Sequence, residues 1–485
     1  MEQYDVIAIG AGGGTKIVSP AARLGLKVAV IEKDKLGGTC LNRGCIPSKM
    51  LIHPADVAQE VREARKFDIH NNPQFTVDFA KLVSRISDTV DRDSESIVAG
   101  YTQNPNIEYI KGAARFTANK TIAVNGRQLT AEKIFIAVGT RPDVPDVPGL
   151  KAVPFWTSTE ALRNTVLPKK LIVLGASYIA VELGHAYGAL GSEVHFIVRS
   201  RFLRREDKDI SEEFTRVFRE KYHCHIGYAP EKVSHDGREF SVTAKNEAGE
   251  TVKLTSDALL VATGIVSNAD TLGLDKTGIR VDDKNFIIVD DCLQTGVEGV
   301  YAFGDCIGRY FFRHSVNFEG EYLFRTLFID KSREPIAYPP VPHAIFSSPQ
   351  TASVGYTEQE CGKIGLDVAV GINPYKKSAM GMALLADHGF CKVIVDRKSR
   401  RLVGAHIIGP EASDMIHTLI AFMNMNATLD DVLNMIFIHP ALPEIVRNAA
   451  RNAKMEIDGD LIVRPRNRQV REQPRAATES GKLTW

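Results

Sequence analysis

The sequence predicts an α/β fold carrying two Rossmann-like dinucleotide-binding units. Two observations predict it. A strand, a glycine turn, a helix and a second strand follow one another near Tyr4, and the same order returns near Leu171. The chain also has 485 residues, which at roughly 150 per domain is length for about three domains.

The first opening runs from strand Tyr4–Ile9 through Gly10-Ala11-Gly12-Gly13-Gly14-Thr15 into a helix reaching Leu24, then a strand from Lys27 to Ile31 ending at Glu32. A pyrophosphate needs a tight turn, bare backbone and a helix N-terminus facing it. Gly10, Gly12 and Gly14 supply the first two. Glu32 stands 22 positions after Gly10, where a carboxylate accepts hydrogen bonds from a ribose diol. Thr15 holds the sixth motif position in place of glycine, and Pro20 is expected to interrupt the helix. The second opening is strand Leu171–Leu174, the turn Gly175-Ala176-Ser177-Tyr178-Ile179 and a strand Glu193–Val198. Ser177 replaces the middle glycine, which loosens the approach of backbone to phosphate. No acid ends this strand. Arg199, Arg201, Arg204 and Arg205 follow instead, and arginines suit a 2′-phosphate where a carboxylate suits a bare ribose. The loop therefore favours NADPH over NADH, the competing reading being a solvated basic loop.

Composition narrows the function. Apolar residues make up 44% of the chain, which excludes wholesale disorder. Sixty Lys and Arg against 59 Asp and Glu leave a net charge of +1, which excludes a broadly basic nucleic-acid binder. No stretch approaches the ~20 apolar residues of a membrane span. Met1-Glu2-Gln3-Tyr4-Asp5 leads straight into a strand, without the pattern of a secretion signal. A cytoplasmic protein is expected. Seven dispersed cysteines, at 40, 45, 224, 292, 306, 361 and 391, do not form a disulfide framework.

Cys40 and Cys45 lie in Gly37-Gly38-Thr39-Cys40-Leu41-Asn42-Arg43-Gly44-Cys45-Ile46-Pro47-Ser48-Lys49. Two cysteines five apart could close a disulfide across a distorted helical turn. A helix N-terminus and a nearby cation would lower a thiol pKa. The alternatives are half a zinc site or two structural thiols. Zinc needs a second ligand pair. His223-Cys224-His225 is crowded and lies in a strand region, so no metal ligand set is expected.

The segment Gly37 to Lys49 resembles the redox-active signature of the flavoprotein pyridine-nucleotide–disulfide oxidoreductases. Further segments resemble that family in order: Ile136-Ala137-Val138-Gly139-Thr140-Arg141-Pro142 and Val261-Ala262-Thr263-Gly264 its two crossings between the FAD and NAD(P) units, and Thr295 through Gly304-Asp305 its second FAD motif. The resemblance reaches about Ala453. It implies bound FAD, with Gly38, Thr39, Gly139 and Gly264 near it and Asp305 on the ribityl chain.

By this resemblance Cys40 is the interchange thiol that attacks substrate and Cys45 the flavin-side thiol. Lys49 sits beside the flavin and pairs with Glu182. Tyr178 resembles an aromatic gate over the nicotinamide pocket, and His314 opens a helix whose amides face the flavin. His439 and Glu444 have the spacing of the family's acid–base dyad. An imidazole is suited to protonating a leaving thiolate. In the family this dyad serves the neighbouring subunit, which implies a homodimer with shared sites.

The organisation implied is an FAD unit in two parts, 1–150 and 265–338, an NAD(P) unit over 151–264 and an α+β dimerisation domain over 339–455. A basic tail over 456–485 follows. Its last 22 residues, from Arg464, carry six basic and two acidic side chains and read as a solvated arm. Adjacent C-terminal cysteines of the mercuric or large thioredoxin reductase kind are absent from the sequence. The expected function is NADPH-dependent reduction of a small-molecule disulfide, of the mycothione or glutathione reductase type. The alternative is a dihydrolipoamide dehydrogenase using NAD and meeting a lipoyl-bearing partner.

Overall fold

The computed structural model describes residues 1–70 and 75–453; the basic tail expected over 456–485 lies outside them. The first opening folds as strand Glu2–Ile9, helix Thr15–Arg23 and strand Val28–Glu32. These strands are central in a seven-stranded sheet ordered Ile107–Lys111, Val28–Glu32, Glu2–Ile9, Arg127–Ile136, Thr121–Val124 and Arg115–Ala118, with Val300–Ala302 alongside Ile134–Ile136. Nearly continuous apolar runs such as Val28-Ala29-Val30-Ile31 are what a parallel strand covered on both faces requires.

One expectation is corrected here. Pro20 does not interrupt the first helix, which continues to Arg23. Proline removes one backbone bond, but Ile17, Val18, Ala21 and Ala22 are buried on both sides of it, and that packing carries the helix through.

The second opening builds a parallel four-stranded sheet ordered His223–Ile226, Glu193–Val198, Lys170–Leu174 and Ala258–Val261. One face meets helix Tyr178–Leu190 and an aromatic group of Phe196, Phe202, Phe214 and Phe218. The other is covered by the antiparallel strands Tyr228–His235, Phe240–Asn246 and Thr251–Ser256. The two crossing segments pair with each other, Ser267 opposite Thr140.

Residues 343–408 form a five-stranded antiparallel sheet, with helices Ala412–Asn424 and Glu444–Asn452 packed on it. Its strand Phe390–Asp396 carries the fully buried Lys392. The Nζ of Lys392 lies 2.8 Å from Asp207, 2.6 Å from Asp209 and 2.7 Å from Glu358. Asp207 also caps helix Lys208–Lys221. Beside it Glu206 accepts from His343 Nε2 at 2.7 Å and from the Ser353 hydroxyl at 2.8 Å. No helix among the described residues is long and apolar enough to cross a membrane.

Candidate functional site

One cavity of about 2250 Å³ runs between the two openings, well beyond the ~300–1,000 Å³ of an ordinary ligand pocket and room for two dinucleotides end to end. Cys40, Cys45, Lys49 and Glu182 line it, as do the glycine turns, Gly38, Thr39, Gly139, Gly264, Asp305, His314, Ile179 and the arginines of the loop from Arg199.

The redox segment is built by a break between helices. Helix Gly38–Arg43 ends at Gly44, whose φ and ψ of −144° and −120° turn the chain, and Cys45 starts helix Cys45–Glu63. The expected distorted turn is thus two helices meeting at Gly44. A side chain there would press on the Thr39 carbonyl, 2.9 Å from the Cβ position. Asn42 steadies the entry by donating to the carbonyls of Leu36 at 2.9 Å and Gly38 at 3.0 Å.

Across the break the two thiols are in hydrogen-bond contact. The contact splits them. Cys45, accepting from Cys40, is drawn down to about 7 against the opposing effect of burial, with Lys49 adding its positive charge. Cys40 is pushed up by the same bond and by its burial. Above about pH 7 the pair therefore favours one proton, on Cys40, and the negative charge on Cys45. Both thiols line the cavity, and Cys45 is the more exposed.

Lys49 Nζ lies 2.7 Å from Glu182 Oε2 and 4.5 Å from the centre of the Phe346 ring. The other oxygen of Glu182 accepts from the Phe346 amide at 3.0 Å. Burial raises the Glu182 pKa, and Lys49 offsets that only in part. The sequence offered no sign of Phe346.

The first turn fits an FAD. Gly10 has a φ of +97°, and a Cβ on it would meet the Ala137 carbonyl at 2.3 Å. A Cβ on Gly38 would come within 2.6 Å of the Gly12 Cα, so both backbones lie bare where they meet. Gly14 stands elsewhere: it does not line the cavity, and a side chain on it would strike the Gly10 carbonyl at 2.2 Å. It is a packing glycine between turn and helix, a correction to its expected contact with cofactor. Thr15 Oγ1 donates to the Gly12 carbonyl at 2.9 Å, tying the turn to the helix start. Glu32 reaches back to accept from the Ala11 amide at 2.8 Å. Asp305 is half-buried; desolvation raises its pKa, and it accepts from the Thr140 hydroxyl at 3.1 Å, a carboxylate suited to bind sugar hydroxyls. Sequence reasoning missed Glu319, which accepts from the Gly304 amide at 2.6 Å and from Tyr338 at 2.7 Å and so fixes the turn before Asp305. His314 donates to the Pro342 carbonyl at 2.7 Å with its ring stacked on Phe312.

At the second turn Ser177 is the N-cap of helix Tyr178–Leu190 and makes no cap hydrogen bond. Tyr178 stands at the junction. Burial raises its phenol pKa, as do the charges of Asp305, Glu182 and Cys45, while Arg205 opposes them. Arg199, Arg201, Arg204 and Arg205 face the cavity. Among the described residues none of the four pairs with a carboxylate. The structure does not bring His439 or Glu444 to this cavity. They form a separate pair, His439 Nδ1 donating to Glu444 at 2.9 Å and Arg447 holding the second oxygen at 3.0 Å. Burial opposes ionisation of Glu444, but His439, the Ala441 amide and Arg447 together hold its pKa below the usual value. The preceding Ile436 and Ile438 are 95% and 79% exposed.

Comparison with known proteins agrees with this arrangement. Residues 4–320 match the model for pyridine nucleotide-disulphide oxidoreductase, and residues 341–450 match the dimerisation domain of that family. Mycothione reductase of Mycobacterium tuberculosis is 35% identical over 464 residues, covering 93% of this chain and 99% of its own. Dihydrolipoyl dehydrogenase of Haloferax volcanii is 33% identical over 470 residues, covering 93% and 96%. The Cu(II) complex of the HOCl-induced flavoprotein disulfide reductase RclA from Escherichia coli superposes with a TM-score of 0.83 at 28% identity, covering 94% of this chain and all of that one. Matched from end to end of its described fold, the chain belongs to the pyridine nucleotide-disulphide oxidoreductases, FAD-dependent enzymes that use NAD(P)H and act on sulfur groups.

Proposed function

We propose that the protein is an NADPH-dependent reductase of a small-molecule disulfide, of the mycothione or glutathione reductase type. The observation that carries this reading is the loop from Arg199 to Arg205, whose four arginines face the cavity without carboxylate partners at the end of strand Glu193–Val198. Guanidinium groups pair with phosphate through charge-assisted bonds. The FAD unit in this reading spans 1–150 and 265–338, the NAD(P) unit 151–264 and the dimerisation unit 339–455. The dispersed cysteines suit a reducing, cytoplasmic setting.

FAD, when bound, would supply the two-electron chemistry, with NADPH as the hydride source and the Cys40–Cys45 disulfide as the acceptor. Gly10, Gly12 and the following helix start would receive its pyrophosphate, Glu32 its ribose and Asp305 its ribityl hydroxyls. Lys49 stabilises the Cys45 thiolate, and Glu182 with the Phe346 amide aims Lys49. Cys40 holds the shared proton and needs a base before it can attack.

We assign that task to His439 of the partner subunit. Its own chain leaves the histidine 71% exposed at side-chain level behind two exposed isoleucines, an apolar approach that a second subunit would cover. The base takes the Cys40 proton, and Cys40 Sγ bonds to one sulfur of the substrate as its S–S bond breaks. The first thiolate leaves with the proton from the imidazole. Cys45 Sγ then bonds to Cys40 Sγ, the mixed disulfide breaks, and the second thiolate leaves with a proton from solvent. The enzyme disulfide is restored and one disulfide has become two thiols.

A second reading is favoured by Cys-Leu-Asn-x-Gly-Cys-Ile-Pro-Ser-Lys, which looks like dihydrolipoamide dehydrogenase. It would use NAD and a lipoyl-bearing partner. Steady-state turnover of a panel of mycothiol, glutathione and lipoamide disulfides, with NADPH and NADH in parallel, separates the two. Equal or better efficiency with NADH would overturn the NADPH reading.

A further inference from the structure

Strand Glu193–Val198 and its edge neighbour His223–Ile226 run parallel, His195 opposite His223 and Ile197 opposite His225. Alternate residues of a strand share a face. Glu193, His195, His223 and His225 therefore project together on the face covered by the three antiparallel strands, while Cys224 points with Phe196 to the helical face. The His195 ring stacks on His223 with centroids 4.5 Å apart at 16°, and on His225 at 5.7 Å and 11°. One ligand atom each from Glu193, His195 and His223 lie within 4.8 Å of one another. None of these residues lines the large cavity, so the redox chemistry leaves them unused.

We propose that Glu193, His195 and His223 bind a divalent transition-metal ion of the zinc class, with His225 as an outer positioning residue. Two imidazoles and a carboxylate form a donor set for borderline ions rather than for Mg²⁺. Ligand atoms bonded to one ion at ~2.0–2.2 Å stand about 3.4 Å apart, so the group must tighten from its 4.8 Å spread, while Glu193 Oε1, 2.6 Å from His195 Nε2, gives up that hydrogen bond and opens slightly to admit the ion. A ligating histidine is ordinarily oriented through its other nitrogen. His225 Nε2 stands 3.3 Å from His195 Nδ1 for that purpose. His223 and Glu193 are exposed, which gives the ion an entry path. The competitor is Lys170, whose Nζ lies 3.1 Å from Glu193 Oε1; it is partly exposed and can turn to solvent. The second ligand pair that the sequence around His223 lacked is thus supplied by the adjacent strand.

The test titrates the oxidised holoenzyme, its Cys40–Cys45 disulfide closed, with Zn²⁺ and in parallel with Mg²⁺. One Zn²⁺ should bind per chain and raise the melting temperature, with no effect of Mg²⁺. His223→Ala, at an exposed position, should weaken Zn²⁺ binding at least tenfold and abolish the thermal shift, and Glu193→Gln should weaken it as well. The Co²⁺-loaded protein should show visible ligand-field bands without a thiolate charge-transfer band. Unchanged affinity in His223→Ala, a thiolate band, or no Zn²⁺ binding by the unmodified enzyme would overturn the proposal.

Discussion

Lys49 Nζ lies 2.7 Å from Oε2 of Glu182, and the contact joins the helix that starts at Cys45 to the helix that starts at Tyr178. It places a cation between a thiol that favours its anion and a carboxyl that burial would otherwise neutralise. Removing Lys49 should therefore act on both. Breaking a fully buried pair costs ~3–5 kcal/mol, and with Lys49 partly exposed a loss of about 2 kcal/mol is expected for Lys49→Met. The Glu182 pKa is raised in the folded state, so its contribution is present below pH 4.5 and is lost as pH rises through the folded value. The melting temperature of Lys49→Met should fall over that window. Lys49→Met with Glu182→Gln should remove the pH dependence. A flat profile in the single variant would contradict the placement.

The shared proton of the thiol pair gives a spectroscopic prediction. Cys40→Ser should bind FAD, lose disulfide turnover and keep a long-wavelength charge-transfer band from the Cys45 thiolate. Lys49 also draws Cys45 down, so in this variant the band should grow as pH rises through a midpoint below the ordinary thiol range. A midpoint at ~8.5 would show that Lys49 does not hold the anion.

Subunit exchange tests the position of the dyad. Inactive Cys45→Ser chains mixed with inactive His439→Gln chains form dimers in which one site of two is intact. Random exchange should restore about a quarter of wild-type turnover per chain. No recovery, with exchange verified by mass, would show that His439 does not serve the partner's site.

Nucleotide choice should follow the arginine loop. Arg199→Ala with Arg205→Ala should raise KM for NADPH and scarcely move KM for NADH. One charge-assisted bond contributes ~1.5–3 kcal/mol, and exposure and salt trim that, so about a tenfold rise per arginine is expected. A parallel rise with both nucleotides would assign the loop to general electrostatics.

The parts of this fold that were legible in the sequence are those that local rules govern. Strand Glu193–Val198 was read with the bounds it has, because apolar alternation and flanking turns act within a few residues. Pro20 misled because a local rule was applied where tertiary packing of Ile17 and Ala21 decides. The hold of Phe346 on Glu182 and Lys49 was invisible, since its donor is a backbone amide that carries no residue signature. So was Glu319, an acid in an unremarkable helix until the fold sets it against the Gly304 amide. His223 and His225 carried a pattern, but Glu193 and His195 sit a strand away, and only the parallel register sets them alongside.

Lys392, buried among Asp207, Asp209 and Glu358, bears on how fast the enzyme can cycle. Together with the clasp of Glu206 on His343, it rivets the nucleotide-binding lobe to the C-terminal sheet at two adjacent points. Separating them would leave the fully buried Lys392 and Asp207 without each other, at a cost of ~3–5 kcal/mol. This seam therefore resists a hinge opening of the lobe, a motion of microseconds to milliseconds. Side chains that line the cavity, Tyr178 among them, can still move within picoseconds to nanoseconds. A frame held in this way would let the Cys40–Cys45 chemistry proceed without a lobe motion in each cycle.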